Sequence, residues 1–250
     1  MERDEQKPLM SHLEELRKRL IACALAIGLC FALTYAFSEK LFAILAYPLK
    51  SYLPEGDRLI FTNLPEMFFV YIKTALVSGL LLAAPFIFFQ IWMFVAPGLF
   101  RNEKKYVFPF VFCSTFLFIG GALFGYFVVF PFGFRFFLGF ANEYIQALPS
   151  VKQYFSLSIK LLLGFGLIFE LPVLAFFLGR MGVISVNHLR KQRRYAILLI
   201  FVVSAILTPP DVITQIMMAG PLLILFELSV IIVKLAEKKK TTGEEEGTKG

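Results

Sequence analysis

Carboxylate side chains occur in two basic stretches of this sequence. The stretch HLEELRKRL contains Glu14 and Glu15 just before three basic residues, and the stretch FRNEKKY contains Glu103 among three more. A carboxylate can accept two parallel hydrogen bonds from a guanidinium, a geometry that an ammonium group cannot match. Two such acids on a basic surface indicate a selective site for an arginine-containing ligand.

A purely structural interpretation of the same acids stays open. Glu14 to Lys18 and Glu15 to Arg19 have the i,i+4 spacing of helix ion pairs, each worth about 0.2–0.5 kcal/mol. Glu103 can likewise neutralise a solvated loop. The adjacent acids also leave open whether Glu14 or Glu15 faces a ligand.

Two further acids lie inside apolar segments, where an ionisable group is costly and usually faces protein or water. Glu170 lies in LIFELPVL, ahead of Pro172, and Glu227 lies in LFELSV, close to a basic tail. A buried packing acid and an acid that reaches the membrane surface are the structural interpretations. The functional alternative is a proton-coupled transporter of small solutes.

Polar residues also flank the tight turn TPPD. Thr208, Asp211 and Gln215 stand at or next to this turn. They could hydrogen-bond a transmembrane helix of a partner protein. Capping of the turn itself is the equally open alternative.

The composition indicates that the elements carrying these residues lie in lipid. The chain is 58% hydrophobic, includes 31 Phe and has only 17% charged residues, far from the average of soluble domains. We expect one integral membrane domain at residues 1–236. The charged, Gly-rich tail at 237–250 is expected to be disordered.

The apolar runs predict an all-α protein with six transmembrane helices, because a helix that crosses a bilayer needs about 20 apolar residues. Ser11 and Glu14 have capping-box spacing, which predicts an amphipathic helix at 11–20 that leads into the first span. The fifth span is too short for an average bilayer. The predicted spans are Leu20–Phe37, Met67–Val95, Tyr106–Phe132, Phe155–Gly179, Tyr195–Leu207 and Val212–Val233.

The distribution of basic residues predicts the orientation. Most of the 25 Lys and Arg residues fall in the two terminal segments and in the loops after spans 2 and 4, so both termini are expected in the cytoplasm. The segments 38–66 and 133–154 then form outer loops, and FRFFLGF could be an interfacial helix. An uncleaved first span without a transit peptide favours a bacterial inner membrane.

No motif of a nucleotide site, a metal site or a catalytic constellation was found. The three cysteines lie in apolar runs without paired spacing. We therefore expect no enzyme activity, no cofactor and no nucleic-acid partner.

Five segments, in order, resemble the TatC family, the multispanning core subunit of the twin-arginine protein translocase. The resemblance covers residues 8–234, nearly the whole chain. It implies six helices in a concave, glove-like arrangement with the last two short. The five segments are HLEELRKRL, QIWMFVAPGLFRNEKK, FGYFVVFP, FGLIFELPV and LTPPDVITQ.

The resemblance also implies roles for individual residues. Glu15 and Glu103 match the positions that bind the paired arginines of signal peptides, whereas Glu14 departs from the apolar residue that is frequent in the family. Glu170 matches the family's intramembrane glutamate. Thr208 and Gln215 match a polar patch where single-span partners dock. The neighbouring recognition positions are Arg17, Phe94, Pro97 and Leu99, and Pro48 lies in the first outer loop.

The function implied is a receptor and assembly core for the export of folded proteins. It would bind twin-arginine signal peptides, recruit TatA- or TatB-like partners, self-associate in a receptor complex and use the proton gradient. The transporter centred on Glu170 and Glu227 is the alternative.

Overall fold

The computed structural model describes residues 2–54, 57–95, 107–142, 144–209 and 211–247, which fold into helices joined by turns and short loops. The first five helices are α1 (Glu2–Tyr35), α2 (Ser38–Lys50), α3 (Glu66–Val95), α4 (Val107–Phe124) and, after a π-helical segment Gly125–Val129, α5 (Phe130–Leu138). The remainder are α6 (Val151–Ile168), α7 (Leu171–Arg180), α8 (Val186–Lys191), α9 (Arg193–Leu207) and α10 (Val212–Gly247).

Four helical runs in the described residues are long and apolar enough to cross a membrane, and a fifth is formed if α1 and α2 count as one span bent by 83°. The four runs are Glu66–Val95, Phe108–Leu138, Val151–Arg180 and Val212–Leu235. Helix α9 has 15 residues, only about 22 Å of rise at 1.5 Å per residue. The membrane class is therefore supported, while the count of six spans stays a prediction.

Three predicted boundaries are wrong. The amphipathic helix begins at Glu2 and not at Ser11, and it continues unbroken into the first span; helix propagation is cooperative, so a local start signal need not end it. The outer segment 38–66 contains α2, whose apolar residues recur at helical spacing. The predicted outer loop 133–154 begins and ends in helix, since FRFFL completes α5 and α6 starts at Val151. The expected helix at FRFFLGF is confirmed as far as Leu138, and its interfacial position stays a prediction.

The described contacts divide the chain into two compact units. In the first, α1 and α3 pack antiparallel along much of their lengths. The Thr34 hydroxyl donates to the Ala75 carbonyl at 2.7 Å. A Cβ on Gly79 would lie 2.8 Å from the backbone nitrogen of Phe31, so only glycine allows the two backbones this close.

One buried acid joins two loops of the first unit. The Glu66 carboxylate accepts hydrogen bonds from the backbone N–H groups of Thr62 at 3.1 Å and Lys152 at 2.8 Å, and from the Ser150 hydroxyl at 3.3 Å. The Val151 N–H donates to the Ile60 carbonyl at 2.9 Å beside it. These bonds fix the start of α3 and the start of α6 to each other.

The second unit combines close helix packing with one break. Ala175 of α7 shares a buried cluster with Val230 and Val233 of α10. The run from Val151 to Arg180 is interrupted between α6 and α7, because Pro172 has no N–H to donate to the Ile168 carbonyl. The predicted fourth span is therefore two helices.

The glycine pair Gly120 and Gly121 tests the packing of α4 on α6. A Cβ on Gly121 would lie 2.5 Å from the Phe165 carbonyl oxygen, whereas a Cβ on Gly120 would meet no atom within 4 Å. We expect Gly121→Ala to lower the free energy of unfolding by about 1–3 kcal/mol, and Gly120→Ala to leave it unchanged or raise it slightly. Thermal unfolding in detergent, followed by circular dichroism, measures both. Equal unfolding temperatures for the two variants would contradict this packing.

Candidate functional site

The candidate site lies where the first turns of α1 meet the last turns of α3. The Glu15 Oε1 atom accepts hydrogen bonds from Arg19 Nε at 3.0 Å and from Arg19 Nη2 at 2.5 Å. The Arg19 Nη1 group donates to Gln90 Oε1 at 2.9 Å. A carboxylate, a guanidinium and an amide thus form one chain of hydrogen bonds across the two helices.

An aromatic contact joins the same two helices one turn after Gln90 on α3. The His12 ring stacks on the Phe94 ring with their centroids 4.3 Å apart and their planes 20° apart. Because α1 and α3 are antiparallel, residues 12 and 19 of α1 lie opposite residues 94 and 90 of α3. Glu15 lies between these two contacts on the same face of α1.

The structure distinguishes the adjacent acids. Glu14 pairs with Lys18 at 3.0 Å, and both side chains are largely exposed, at 65% and 73%. Glu15 and Arg19 are less exposed, at 35% and 20%. Both predicted i,i+4 pairs are therefore confirmed, but only the Glu15 pair continues to another helix. Glu15 is the acid that belongs to the inter-helix contact.

The other predicted recognition residues have different placements. Glu103, Pro97 and Leu99 lie outside the described residues. Arg17 is exposed on α1, while Pro48 is buried inside α2 and its carbonyl accepts from the Ser51 hydroxyl at 2.9 Å. Glu15 and Phe94 are thus the predicted recognition residues that the structure brings to the α1–α3 contact.

Sequence reasoning missed His12 and Gln90 as members of this site. Gln90 is a lone amide in the apolar run FIFFQIWMF near the end of α3. Such an isolated polar residue in an apolar span is a signal for an inter-helix hydrogen bond. His12 offers no comparable signal, because its stacking partner Phe94 lies far away in sequence.

A second polar cluster lies at the turn between α9 and α10. Asp211 accepts from the Thr214 N–H at 2.7 Å and also from the Thr214 hydroxyl. The Gln215 amide donates to the Phe201 carbonyl at 3.0 Å, and the Thr208 hydroxyl donates to the Ser204 carbonyl at 2.9 Å. Asp211 therefore caps the start of α10, while Thr208 and Gln215 bond to carbonyls of α9. A docking role for these side chains stays a prediction.

An apolar cavity of about 250 Å³ lies beside this turn. Apolar side chains provide most of its wall, with Thr208 and Thr214 on one side and Gly133 on another. A Cβ on Gly133 would meet no atom within 4 Å, so this part of the wall is open. Further lining residues are Phe124, Phe130, Phe134, Leu161, Met218 and Pro221.

The intramembrane acids occupy separate environments. Glu170 is buried, with 6% exposure, at the break between α6 and α7. Glu227 forms an ion pair with Arg193, and both side chains are about half exposed. A salt bridge to the first residue of α9 agrees with the expectation that Glu227 lies near a polar surface.

Comparisons with known proteins extend over nearly the whole chain. A family sequence model described as Sec-independent protein translocase protein (TatC) matches residues 11–221. A Sec-independent protein translocase protein TatC of Desulforapulum autotrophicum is 52% identical over 247 residues, which cover 98% of this chain and 92% of the relative. The Escherichia coli protein of the same name is 38% identical over 242 residues, covering 97% and 94%.

The fold is also similar to solved structures. A crystal structure of the twin-arginine translocase receptor TatC superposes with a TM-score of 0.81 and 41% identity, covering 90% of this chain and 99% of the other. A second crystal structure of that receptor, in the detergent DDM, gives a TM-score of 0.82 at 39% identity, with 88% and 98% covered.

Substitution of Asp211 tests whether this residue caps α10. Loss of an N-terminal cap costs about 1 kcal/mol, so Asp211→Ala should lower the unfolding temperature in detergent. Asp211→Asn should retain most of the stability, because its amide oxygen can still accept from the Thr214 N–H. An unfolding temperature for Asp211→Ala that equals that of the unchanged protein would rule out the capping role.

Proposed function

This chain belongs to the TatC family of Sec-independent protein translocase proteins, and from this premise we propose that it is a membrane receptor for twin-arginine signal peptides. The main support for this proposal is that the Glu15 carboxylate already accepts two hydrogen bonds from a guanidinium. A group that binds an internal arginine in this way has the chemistry to bind an arginine of a ligand. The proposed activity is recognition and assembly, not catalysis.

The signal-peptide site in this proposal combines Glu15 with Glu103. Glu15 is 35% exposed, so a ligand can reach it without unfolding α1. Phe94 stacks on His12 in the adjacent turn and supplies an apolar surface for the residues next to the arginines. By family resemblance, Arg17, Pro97 and Leu99 are assigned to the rim of the site and Pro48 to the first outer loop.

The orientation in this proposal places the site in the cytoplasm of a bacterial cell. Both termini and the loops after spans 2 and 4 carry most of the basic residues, which favours the cytoplasmic side of an inner membrane. Six spans follow if α9 crosses a locally thinned bilayer. The energy for export would come from the proton gradient.

The partner site in this proposal is the cavity beside Thr208 together with Asp211 and Gln215. Its walls are apolar and its size is about 250 Å³, enough to accept large side chains of a single-span helix. Helices associate in lipid through close packing of this kind. TatA- or TatB-like proteins are the proposed occupants.

Peptide binding tests the receptor proposal. A fluorescent signal peptide with paired arginines should bind the protein in nanodiscs saturably, and its Lys-Lys counterpart should bind at least tenfold more weakly, about 1.4 kcal/mol. Glu15→Gln and Glu103→Gln should each weaken Arg-Arg binding by a similar factor, because a neutral amide loses the charge-assisted pair. Glu14→Gln is the matched control, since Glu14 lies away from α3, and it should change binding less than twofold.

Two results would contradict the receptor proposal. Equal binding of both peptides by all variants would leave the acids with only a structural role. Loss of proton-coupled solute uptake on Glu170→Gln, with silent Glu15 and Glu103 variants, would favour the transporter alternative.

Filling the cavity tests the partner site. We expect Gly133→Leu to reduce co-purification of a co-expressed single-span partner several-fold, because the new side chain enters the cavity without meeting a neighbour at its Cβ. Gly120→Leu is the control, since Gly120 is equally open but lies outside the cavity lining. Unchanged co-purification with Gly133→Leu would place the partner elsewhere.

A further inference from the structure

We propose that Arg19 is an internal occupant of the Glu15 carboxylate, which an arginine of the signal peptide must displace. This inference rests on the proposed function, because it assigns a regulator to the same peptide site. It goes further by naming a residue that lowers the apparent affinity of that site for its ligand.

The geometry of Arg19 carries the inference. Its Nε and Nη2 groups both donate to Glu15 Oε1, and its Nη1 group donates to Gln90 Oε1 at 2.9 Å. The side chain is only 20% exposed. A guanidinium whose three nitrogens are all engaged is held in one position, in contact with the carboxylate that the ligand is proposed to use.

The chemistry of exchange explains how an arginine ligand can replace the internal arginine. An incoming guanidinium can reproduce the two hydrogen bonds that Glu15 loses, so the exchange is nearly balanced at that carboxylate. A lysine ammonium has no planar fork and cannot replace both bonds in the same geometry. The preference for arginine therefore comes from the bonds that each ligand forms with Glu15, while the occupant lowers the apparent affinity for either ligand by the same factor.

The neighbouring ion pair shows that this arrangement is specific to Arg19. Lys18 pairs with Glu14 at the same sequence spacing, yet both side chains are mostly exposed to solvent. Arg19 instead reaches across to α3 through Gln90. The Arg19–Glu15 pair is less exposed and is bonded to α3, whereas the Lys18–Glu14 pair is exposed to solvent. Because the two pairs lie at nearly the same height on α1, Lys18 provides a matched control.

Competition predicts a gain of affinity when the occupant is removed. The apparent dissociation constant of a site that is open for only part of the time is the intrinsic constant divided by the open fraction. If Arg19 keeps Glu15 closed about four-fifths of the time, Arg19→Gln should bind the Arg-Arg peptide roughly fivefold more tightly. The Lys-Lys affinity should rise by the same factor in this variant, so the ratio of the two affinities should stay unchanged.

The experiment is fluorescence anisotropy with the labelled Arg-Arg and Lys-Lys signal peptides and the full chain in nanodiscs. The variants are Arg19→Gln, the charge-conserving Arg19→Lys and the control Lys18→Gln, each with and without Glu15→Gln. We expect tighter Arg-Arg binding for both Arg19 variants and less than a twofold change for Lys18→Gln. No gain is expected from Arg19→Gln in the Glu15→Gln background.

Three results would overturn the inference while leaving the receptor proposal intact. Weaker binding by Arg19→Gln would make Arg19 a positioning residue for Glu15. An equal gain in Arg-Arg affinity from Lys18→Gln, or a gain that persists in the Glu15→Gln background, would mean that the lower positive charge of the surface causes the effect. Arg19→Lys separates competition from misfolding, since it keeps the charge and loses only the fork. Absence of saturable, Glu15-dependent binding by the unchanged chain would instead refute the receptor proposal itself.

Discussion

Antiparallel packing of α1 on α3 brings the candidate site together. The two backbones approach closely at Gly79, the Thr34 hydroxyl crosses to the Ala75 carbonyl, and Arg19 crosses to Gln90. These contacts fix the orientation of α1 about its own axis. Because of this orientation, Glu15 lies towards α3 and Glu14 lies towards solvent. A rotation of α1 by one residue, about 100°, would remove Glu15 from this contact. The recognition chemistry therefore depends on helix packing several turns away.

Lipid as a solvent explains why so few polar groups carry the function. Most of the chain is apolar, and polar groups within spans need internal partners. The Glu66 carboxylate joins the starts of α3 and α6, Asp211 caps α10, and Glu227 pairs with Arg193. Glu15 resembles Glu227 in being partly exposed and paired with an arginine, but the arginine at Glu15 also donates to Gln90 of α3. Exchange at Glu15 replaces one guanidinium by another, so the carboxylate keeps a charged partner when the ligand is bound.

The sequence predicted whatever depends on local pattern. Helix α3 begins within one residue of its predicted start, α9 extends the predicted fifth span by two residues at its start, and both i,i+4 pairs on α1 are present. Contacts between distant segments were not predictable from spacing, because Gln90 lies 71 residues from Arg19 and Lys152 lies 86 residues from Glu66. Helix α2 was missed because a short helix without a full apolar span resembles a loop in a hydropathy profile.

The central claim is that residues at the α1–α3 contact bind the paired arginines of a signal peptide. Photocrosslinking from α3 to a bound precursor that carries this peptide is the most direct test. A benzoyl-phenylalanine at position 94 keeps an aromatic ring against His12, and the same probe at position 18 lies on the exposed side of α1. The account predicts strong crosslinks from position 94 to an Arg-Arg precursor, weak ones from position 18, and loss of both with Lys-Lys or Glu15→Gln. Equal crosslinking from the two positions, or crosslinks at position 94 that survive Glu15→Gln, would contradict it.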